Sequence, residues 1–456
     1  LVFKNQYFLA QTPLFFQKKL AIKMSKIEAR LFKGTRDFLP EQMVHREAIT
    51  DTMRAIFKKY GFSPMETPAI EYLSVLSGKY GEDADRLIYK LNYKTNLPDE
   101  AALHYDLTVP LSRVIAMNGD LEMPFKRYQI QPVWRADRPQ PHQGRFREFV
   151  QCDCDVIGTT SMLVDAELIA ITVEVLKLLG FEDFKVKINN RKILNGITTY
   201  LGLPSSATAL LCRSIDKLDK MPWEDIEKEL ISNLNSNDYT EKLRYLFNNN
   251  LSYSTLKETI QNDEALEGFN ELDQIFEYLK LLEIDPACYM FDVSLARGLD
   301  YYTGPIFETK LIKHPHIGSL TGGGRYDNMI GLFTGKSLPA VGTTLGLDRI
   351  YTAMQQLDML SKKSTATKLL VANFDDSSFD YILKATSFFR KNNIAVEIYP
   401  EKAKLKKQFS YAEKKGIPYL LMAGGEEVEK STFNLKNIIT GEQKSLSLNE
   451  VLEIIK

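Results

Sequence analysis

Hydrophobic and polar positions alternate most strictly along residues 127–155. Arg127, Gln129, Gln131, Val133 and Arg135 fall on one face and Tyr128, Ile130, Pro132 and Trp134 on the other, the period-2 pattern of a half-buried strand. A return arm repeats it, with Phe149, Gln151, Asp153 and Asp155 opposed to Val150, Cys152, Cys154 and Val156. Two antiparallel strands joined by a loop are predicted, apolar on the side that meets a core. The other side presents arginine, amide and carboxylate groups across two strands. A face meant only for solvent carries Lys, Glu and Thr more often, so this one reads as a ligand floor. The loop adds Arg138, His142, Arg145 and Arg147 to Arg135, and Gly144 allows close backbone approach. Guanidinium forks match phosphate oxygens two at a time, which suits the polyanionic tail of a nucleotide. An arginine-rich turn in water is the alternative.

Elsewhere the periodicity changes. Ile49, Met53, Ile56, Phe57 and Tyr60 form a helical stripe ended by Gly61. Phe62 to Glu71 reads as a strand interrupted by Pro64 and Pro68, which confine it to an edge, whether a dimer contact or a monomer edge. Leu103 to Pro110 is a short strand feeding a helix. There Asp106 and Thr108 share a face, either to dock an ammonium group or to cap the helix. An amphipathic helix over 165–179 and a strand over 184–189 follow. Residues 191–285 are leucine-rich and helical, an inserted domain or a continuation of the same core. Strand texture returns at Tyr289 to Ser294. Gly298 permits a bend that aims Arg297 away from its strand, with Tyr302 and Asp300 on one face. Thr321 to Asp327, with Gly322, Gly323 and Gly324, is predicted as a glycine bend. Ala340 to Arg349 is a small-residue strand running into a helix, where Arg349 is placed to stack on a flat ring or hold its phosphate tail.

Residues 356–366 read as a linker. Beyond it, strands (369–374, 394–399, 418–423, 433–439) alternate with helices (379–391, 402–415, 448–455), predicting a small parallel-rich sheet with right-handed crossovers. Lys402, Lys404, Lys406, Lys407, Lys414 and Lys415 either track an RNA backbone or form a solvated face.

Composition adds bounds. At 456 residues, two or three domains are expected. With 26% charged residues and a net charge of -1, nothing overall marks a nucleic-acid binder, so RNA contacts must come from local patches. Four cysteines form no disulfide framework, and the pair Cys152-x-Cys154, without a second pair and on the apolar face, is a weak metal motif. A reducing, cytoplasmic setting is expected. With no apolar run of about 18 residues, no membrane span is predicted. Residues 1–23 carry four lysines and no acid but lack the arginine and serine of a transit peptide. Met24-Ser25-Lys26 reads as a natural start, which makes 1–23 a largely disordered or non-native extension, a cleaved transit peptide being the second reading.

Together these pieces resemble the histidyl-tRNA synthetases of the class II aminoacyl-tRNA synthetases, over roughly residues 30 to 456. The class-level motifs are the proline-bearing strand around Pro68, the hairpin with Arg135 and the final helix with Arg349. Arg297-Gly-Leu-Asp-Tyr-Tyr302 and Gly323-Gly-Arg-Tyr-Asp327 look like the two histidine-specific peptides. Tyr-Asp-Leu-Thr, the longer hairpin loop and Cys-Asp-Cys-Asp are closer to the eukaryotic-like and archaeal-like branch than to the common bacterial one. The resemblance implies a multidomain α+β and α/β chain: an antiparallel catalytic sheet flanked by helices (24–190 and 286–355), a helical insertion (191–285), and a C-terminal α/β anticodon-binding domain (367–456).

It further implies a homodimer that uses ATP, with Mg2+ bound mainly through the ATP phosphates, to charge tRNA(His) with L-histidine. By position, Arg135 would hold the α-phosphate, Asp137 the adenine amino group, Arg145 the triphosphate tail, and Phe149 and Arg349 the two faces of adenine. Asp106, Thr108 and Gln151 would receive the histidine ammonium, Asp155 and Tyr302 would read the imidazole, and Tyr301 and Tyr326 would line the same pocket. Arg297, beside the histidine, would replace the metal ion that other class members place near the reacting phosphate. No metal held by protein side chains is expected. Two departures stand out: His104 where the family often has arginine, and Thr344 where the class pattern has a glycine. A catalytically inactive, synthetase-like regulatory protein sensing histidine or tRNA is the competing reading, disfavoured by the presence of Arg135, Arg297 and Arg349.

Overall fold

The computed structural model describes residues 28–78, 85–92, 100–218, 221–234, 239–248, 251–297, 301–360 and 365–456. The extension 1–23, the bend at 298–300 and part of the linker, 361–364, lie outside the described residues. In chain order the first ten strands are β1 (Ser63–Pro64), β2 (Ile70–Tyr72), β3 (Ala101–Leu103), β4 (Phe125–Trp134), β5 (Glu148–Ile157), β6 (Phe184–Asn190), β7 (Tyr289–Phe291), β8 (Pro305–Leu311), β9 (Thr321–Arg325) and β10 (Ala340–Gly346). Eight of them make one sheet in the order β1-β4-β5-β10-β9-β8-β6-β7, while β2 and β3 pair apart. All neighbours in the large sheet are antiparallel except the outermost pairs, β1 with β4 and β6 with β7.

The hairpin is built as its alternation predicts. Arg127 lies opposite Asp155, Gln129 opposite Asp153 and Gln131 opposite Gln151, so the polar groups of both arms share one face. The other face packs Tyr128, Cys152, Cys154 and Val156 against Ile49, Met53 and Phe57 of the helix Pro40–Lys59 and against Ile169 and Val173 of the helix Met162–Leu178. The expected strand from Phe62 to Glu71 is instead two short pieces in different sheets. Proline nitrogens carry no hydrogen and cannot donate to a ladder. The stretch between is tied by side chains, Gln129 Nε2 donating to Thr67 Oγ1 at 2.9 Å and Gln131 Nε2 to Thr67 O at 2.7 Å.

Helix Met162–Leu178 forms where a helix was expected over 165–179, but it is buried nearly all round and so is not amphipathic. The helices between Arg191 and Leu281 share one cluster of buried side chains with the large sheet, Leu194, Phe269 and Leu272 among them. The second sheet has the order β12-β11-β13-β14-β15, from β11 (Leu369–Val371), β12 (Val396–Ile398), β13 (Tyr419–Met422), β14 (Phe433–Asn437) and β15 (Gln443–Leu446). Its helices Phe379–Lys391 and Leu448–Ile455 fall where the pattern puts them. The helix Gly425–Lys430 and β15 went unseen, because both are short and mostly polar.

One internal ion pair fastens the sheet to its covering helix. Arg325, at the end of β9, meets Asp165 in helix Met162–Leu178 and also donates to Thr159 O at 2.9 Å. Both side chains are buried, and burial pushes Asp165 up to about 6 against the pull of the guanidinium. Asp165→Asn leaves a buried cation short of its partner and is expected to cost on the order of 3 kcal/mol. The measurement is a lowered first thermal transition at neutral pH. An unchanged transition contradicts it.

Candidate active site

A cavity of about 510 Å³ opens above the polar face of the hairpin. From the loop beyond β4 come Arg135, Asp137 and Arg145; from β5, Phe149, Gln151, Asp153 and Asp155; from the entry to helix Thr108–Met117, Asp106 and Thr108. The far wall carries Arg297, Tyr301, Tyr302 and Tyr326, and Arg349 closes the end above β10. All of the side chains that the resemblance sets at ATP or histidine therefore line this cavity.

At the deep end sits Asp155. Arg127, wholly buried, places Nη2 at 2.9 Å from Asp155 Oδ2, and Tyr326 donates its hydroxyl to Asp155 Oδ1. Burial raises Asp155 above the ordinary carboxylate range while Arg127 and the Tyr326 hydroxyl pull it back. Asp106 accepts the backbone N–H of Val109 at 3.2 Å, so the capping reading holds, and the residue also lines the cavity.

The expected glycine bend is a strand. β9 fits between β8 and β10 because its three central residues, Gly322, Gly323 and Gly324, have no side chains to meet their neighbours. A Cβ on Gly323 would lie 2.3 Å from Gly342 O and 2.5 Å from the Phe307 ring, and one on Gly324 2.9 Å from the Tyr302 ring. A Cβ on Gly322 would stand 2.6 Å from Arg297 Nη1. The bare strand is thus the space in which Tyr302 and Arg297 lie.

The shallow end is cationic. Arg135 donates through Nε to Tyr105 O at 2.8 Å and through Nη2 to Gln151 Oε1 at 3.2 Å, its guanidinium carbon 5.1 Å from the Phe149 ring centre. Arg297 Nη1 is 2.7 Å from Glu308 Oε1, and Lys310 and Ser319 also hold Glu308. Arg349 donates to Ser319 O at 3.0 Å. Burial, then the nearby Arg297 and Arg145, bring Arg349 down to about 10. It remains a cation at neutral pH and is stabilised by an arriving anion.

Several expectations need correction. Gly144, at the cavity's edge, has a positive φ of 65°, and a Cβ there would meet Arg349 Cα at 2.9 Å, so the missing side chain also lets the loop approach the neighbouring helix. Arg147 serves structure, donating to Asp137 O and Lys33 O, and of the four loop arginines only Arg135 and Arg145 line the cavity. His104 does not border the cavity either; it is buried, at 2.8 Å from Pro132 O and against Trp134. The sequence reading missed Asp348, which binds Arg36, Arg46 and the Val150 N–H and so pins helix Leu347–Gln356 to the hairpin. It also missed Arg127 and Glu308 as partners. Their alternation marks them as facing the site, but only contacts across the sheet give them a role.

Asp153 is raised to about 7 by burial, then by the neighbouring Asp155, with Arg127 and Thr344 opposing and Asp106 adding a little. Its unfolded value is near 3.9, so the folded state holds an extra proton between about pH 4 and 7. The stability Asp153 contributes is complete below about pH 4 and lost as pH rises through about 7. Asp153→Asn, which has no charge to desolvate, should therefore gain melting temperature relative to the parent between pH 5 and pH 8. A difference independent of pH contradicts this.

The family model for histidyl-tRNA synthetase matches residues 34–350, and a model for an anticodon binding domain matches residues 366–456. A histidine--tRNA ligase of Cytophaga hutchinsonii is 44% identical over 446 residues, which span 92% of this chain and 98% of that protein. One from Gloeobacter violaceus is 42% identical over 457 residues, 92% and 97% of the two chains. The crystal structure of histidyl-tRNA synthetase from Nostoc sp. PCC 7120 superposes with a TM-score of 0.85 at 31% identity, covering 94% of this chain and 99% of that one. These relatives are bacterial, so the expected likeness to the eukaryotic and archaeal branch is not borne out. Runs of four residues carry little lineage signal beside identity along the whole chain.

Proposed function

The chain belongs to the histidyl-tRNA synthetase family, and from that premise we propose that L-histidine and ATP meet in the cavity above the hairpin. The protein is a histidine--tRNA ligase with the class II fold. It activates L-histidine with ATP, forming histidyl-adenylate and pyrophosphate, and passes the histidine to tRNA. In our reading the triphosphate lies at the cationic end, with Arg135 on the α-phosphate, Arg145 on the tail, Asp137 at the adenine amino group, and Phe149 and Arg349 on the two faces of the ring. Histidine lies at the deep end, its ammonium toward Asp106, Thr108 and Gln151 and its imidazole between Asp155 and Tyr302, with Tyr301 and Tyr326 around it. The observation that carries this reading is that guanidiniums from three distant segments, Arg135, Arg297 and Arg349, share one cavity with Asp155 and Tyr302.

The chemistry asks for no protein nucleophile. A histidine carboxylate oxygen attacks the α-phosphorus, the bond to pyrophosphate breaks, and charge gathers on the transferring group, where Arg135 and Arg297 stabilise it. The protein orients both substrates and desolvates them. An amino acid without an imidazole leaves Asp155 and Tyr302 short of partners in a buried pocket, which supports discrimination of about 10⁴ or more. Magnesium would accompany ATP through its own phosphates. Binding of tRNA(His) is supported by the anticodon-binding match and by exposed Lys404, Lys406, Lys407 and Lys414 on or beside helix Leu405–Lys415, although Lys415 is taken by Glu397. A homodimer through the short strands near the hairpin is supported by the exposure of Ile70 and Tyr72. A cytoplasmic setting is supported by four buried free thiols.

The test is ATP–pyrophosphate exchange with each amino acid in turn, followed by tRNA charging. Exchange that depends on histidine alone is expected. Exchange with another amino acid, or binding of histidine without exchange, would overturn the reading.

A further inference from the structure

One carboxylate on the cavity floor has no use in the roles above. Asp153 is buried, and across the β5–β10 register it faces Thr344. Thr344 Oγ1 donates to Asp153 Oδ1 at 2.6 Å. Gln151 Nε2 donates to Asp153, 3.3 and 3.2 Å from its two oxygens, and also lies 3.1 Å from Thr344 Oγ1. A hydroxyl has one proton, and Thr344 gives it to Asp153, so Thr344 can only accept from Gln151. The NH2 end of the Gln151 amide therefore faces two acceptors, while its oxygen faces Arg135 Nη2 at 3.2 Å. Above about pH 7, where Asp153 is ionised, reversing that amide would set its oxygen against a carboxylate and its NH2 against a guanidinium. Asp155, committed to Arg127 and Tyr326, makes no such contact with Gln151.

We propose that Asp153 is a positioning residue which, together with Thr344, fixes the Gln151 amide with its oxygen turned toward Arg135 and the incoming histidine ammonium. Thr344, the departure from the class pattern noted in the sequence, is then half of a lock whose other half is Asp153. The proposal rests on the reading of Gln151 as an ammonium acceptor. It adds that a group given no substrate contact in that reading decides which end of the amide the substrate meets.

The experiment compares Asp153→Asn, Thr344→Val and Gln151→Ala in the full-length protein. Asparagine keeps the shape but satisfies Thr344 and Gln151 with either end of either amide, so the preference is lost. Histidine KM in the exchange reaction should rise about 10-fold for Asp153→Asn, the scale of one hydrogen bond to a charged group, with kcat little changed. Thr344→Val should move KM the same way by less. As inhibitors, histidinol, which has the ammonium, should weaken with KM, whereas imidazolepropionate, which lacks it, should not. Adding Gln151→Glu to Asp153→Asn again presents acceptors both to residue 153 and to Arg135, and should restore KM. Equal weakening of both inhibitors, or no rescue, overturns the lock. A rise in KM for Gln151→Ala without one for Asp153→Asn also overturns it and leaves the reading of Gln151 standing. An unchanged KM in Gln151→Ala shows instead that the reading itself has failed.

Discussion

Arg297→Ala is expected to slow histidine-dependent ATP–pyrophosphate exchange by about 10²–10³-fold, the scale of losing one preorganised group at a developing charge, while histidine KM moves only a few-fold. The guanidinium is held in advance: Glu308 grips Nη1, Lys310 and Ser319 grip Glu308, and Gly322 leaves the space it occupies. Preorganised charge lowers a barrier because it need not reorient as the reaction proceeds. In the proposed arrangement the imidazole is read elsewhere, at Asp155, so binding should largely survive. Arg297→Lys should recover little, since a point charge does not reproduce the fork that meets both Glu308 and a phosphate. Equal losses in rate and in histidine affinity would count against this role.

Gly342→Ala is expected to raise histidine KM by two orders of magnitude or more while ATP binding persists. On β10, Gly342 stands directly across from Asp155, and a Cβ there would fall 1.9 Å from Asp155 Oδ1 and 2.6 Å from its Cγ. The carboxylate cannot step aside without breaking its pairing with Arg127 or its bond from Tyr326. Overpacking of this kind costs about 1–3 kcal/mol in stability, so the variant should still fold. Thermal melting and ATP titration provide the controls. An unchanged histidine KM would mean that Asp155 does not read the imidazole.

What the sequence made legible follows from what its patterns encode. The hairpin was readable because a strict two-residue period fixes which side chains share a face, and the register then set Arg127 beside Asp155 as that face requires. The helix Pro40–Lys59 and the helices Phe379–Lys391 and Leu448–Ile455 were readable from their apolar stripes. β9 was not, since three glycines carry no period and locally favour a turn; only Phe307, Gly342 and Tyr302, distant in the chain, make bare backbone the requirement there. Asp348 escaped for a similar reason: its partner Arg46 lies 302 positions away. The role of His104, which stands where the family often has arginine, was not legible, because motif alignment does not say which way a side chain turns at the end of β3; it is buried against Pro132 O and Trp134.

The account stands on phosphate and imidazole occupying opposite ends of one cavity. A crystal structure with a non-hydrolysable sulfamoyl analogue of histidyl-adenylate tests that most directly. The phosphate mimic should lie between Arg135 and Arg297, with the imidazole against Asp155 and Tyr302 and the adenine between Phe149 and Arg349. An analogue bound elsewhere, or reversed so that its adenine meets Asp155, would contradict it.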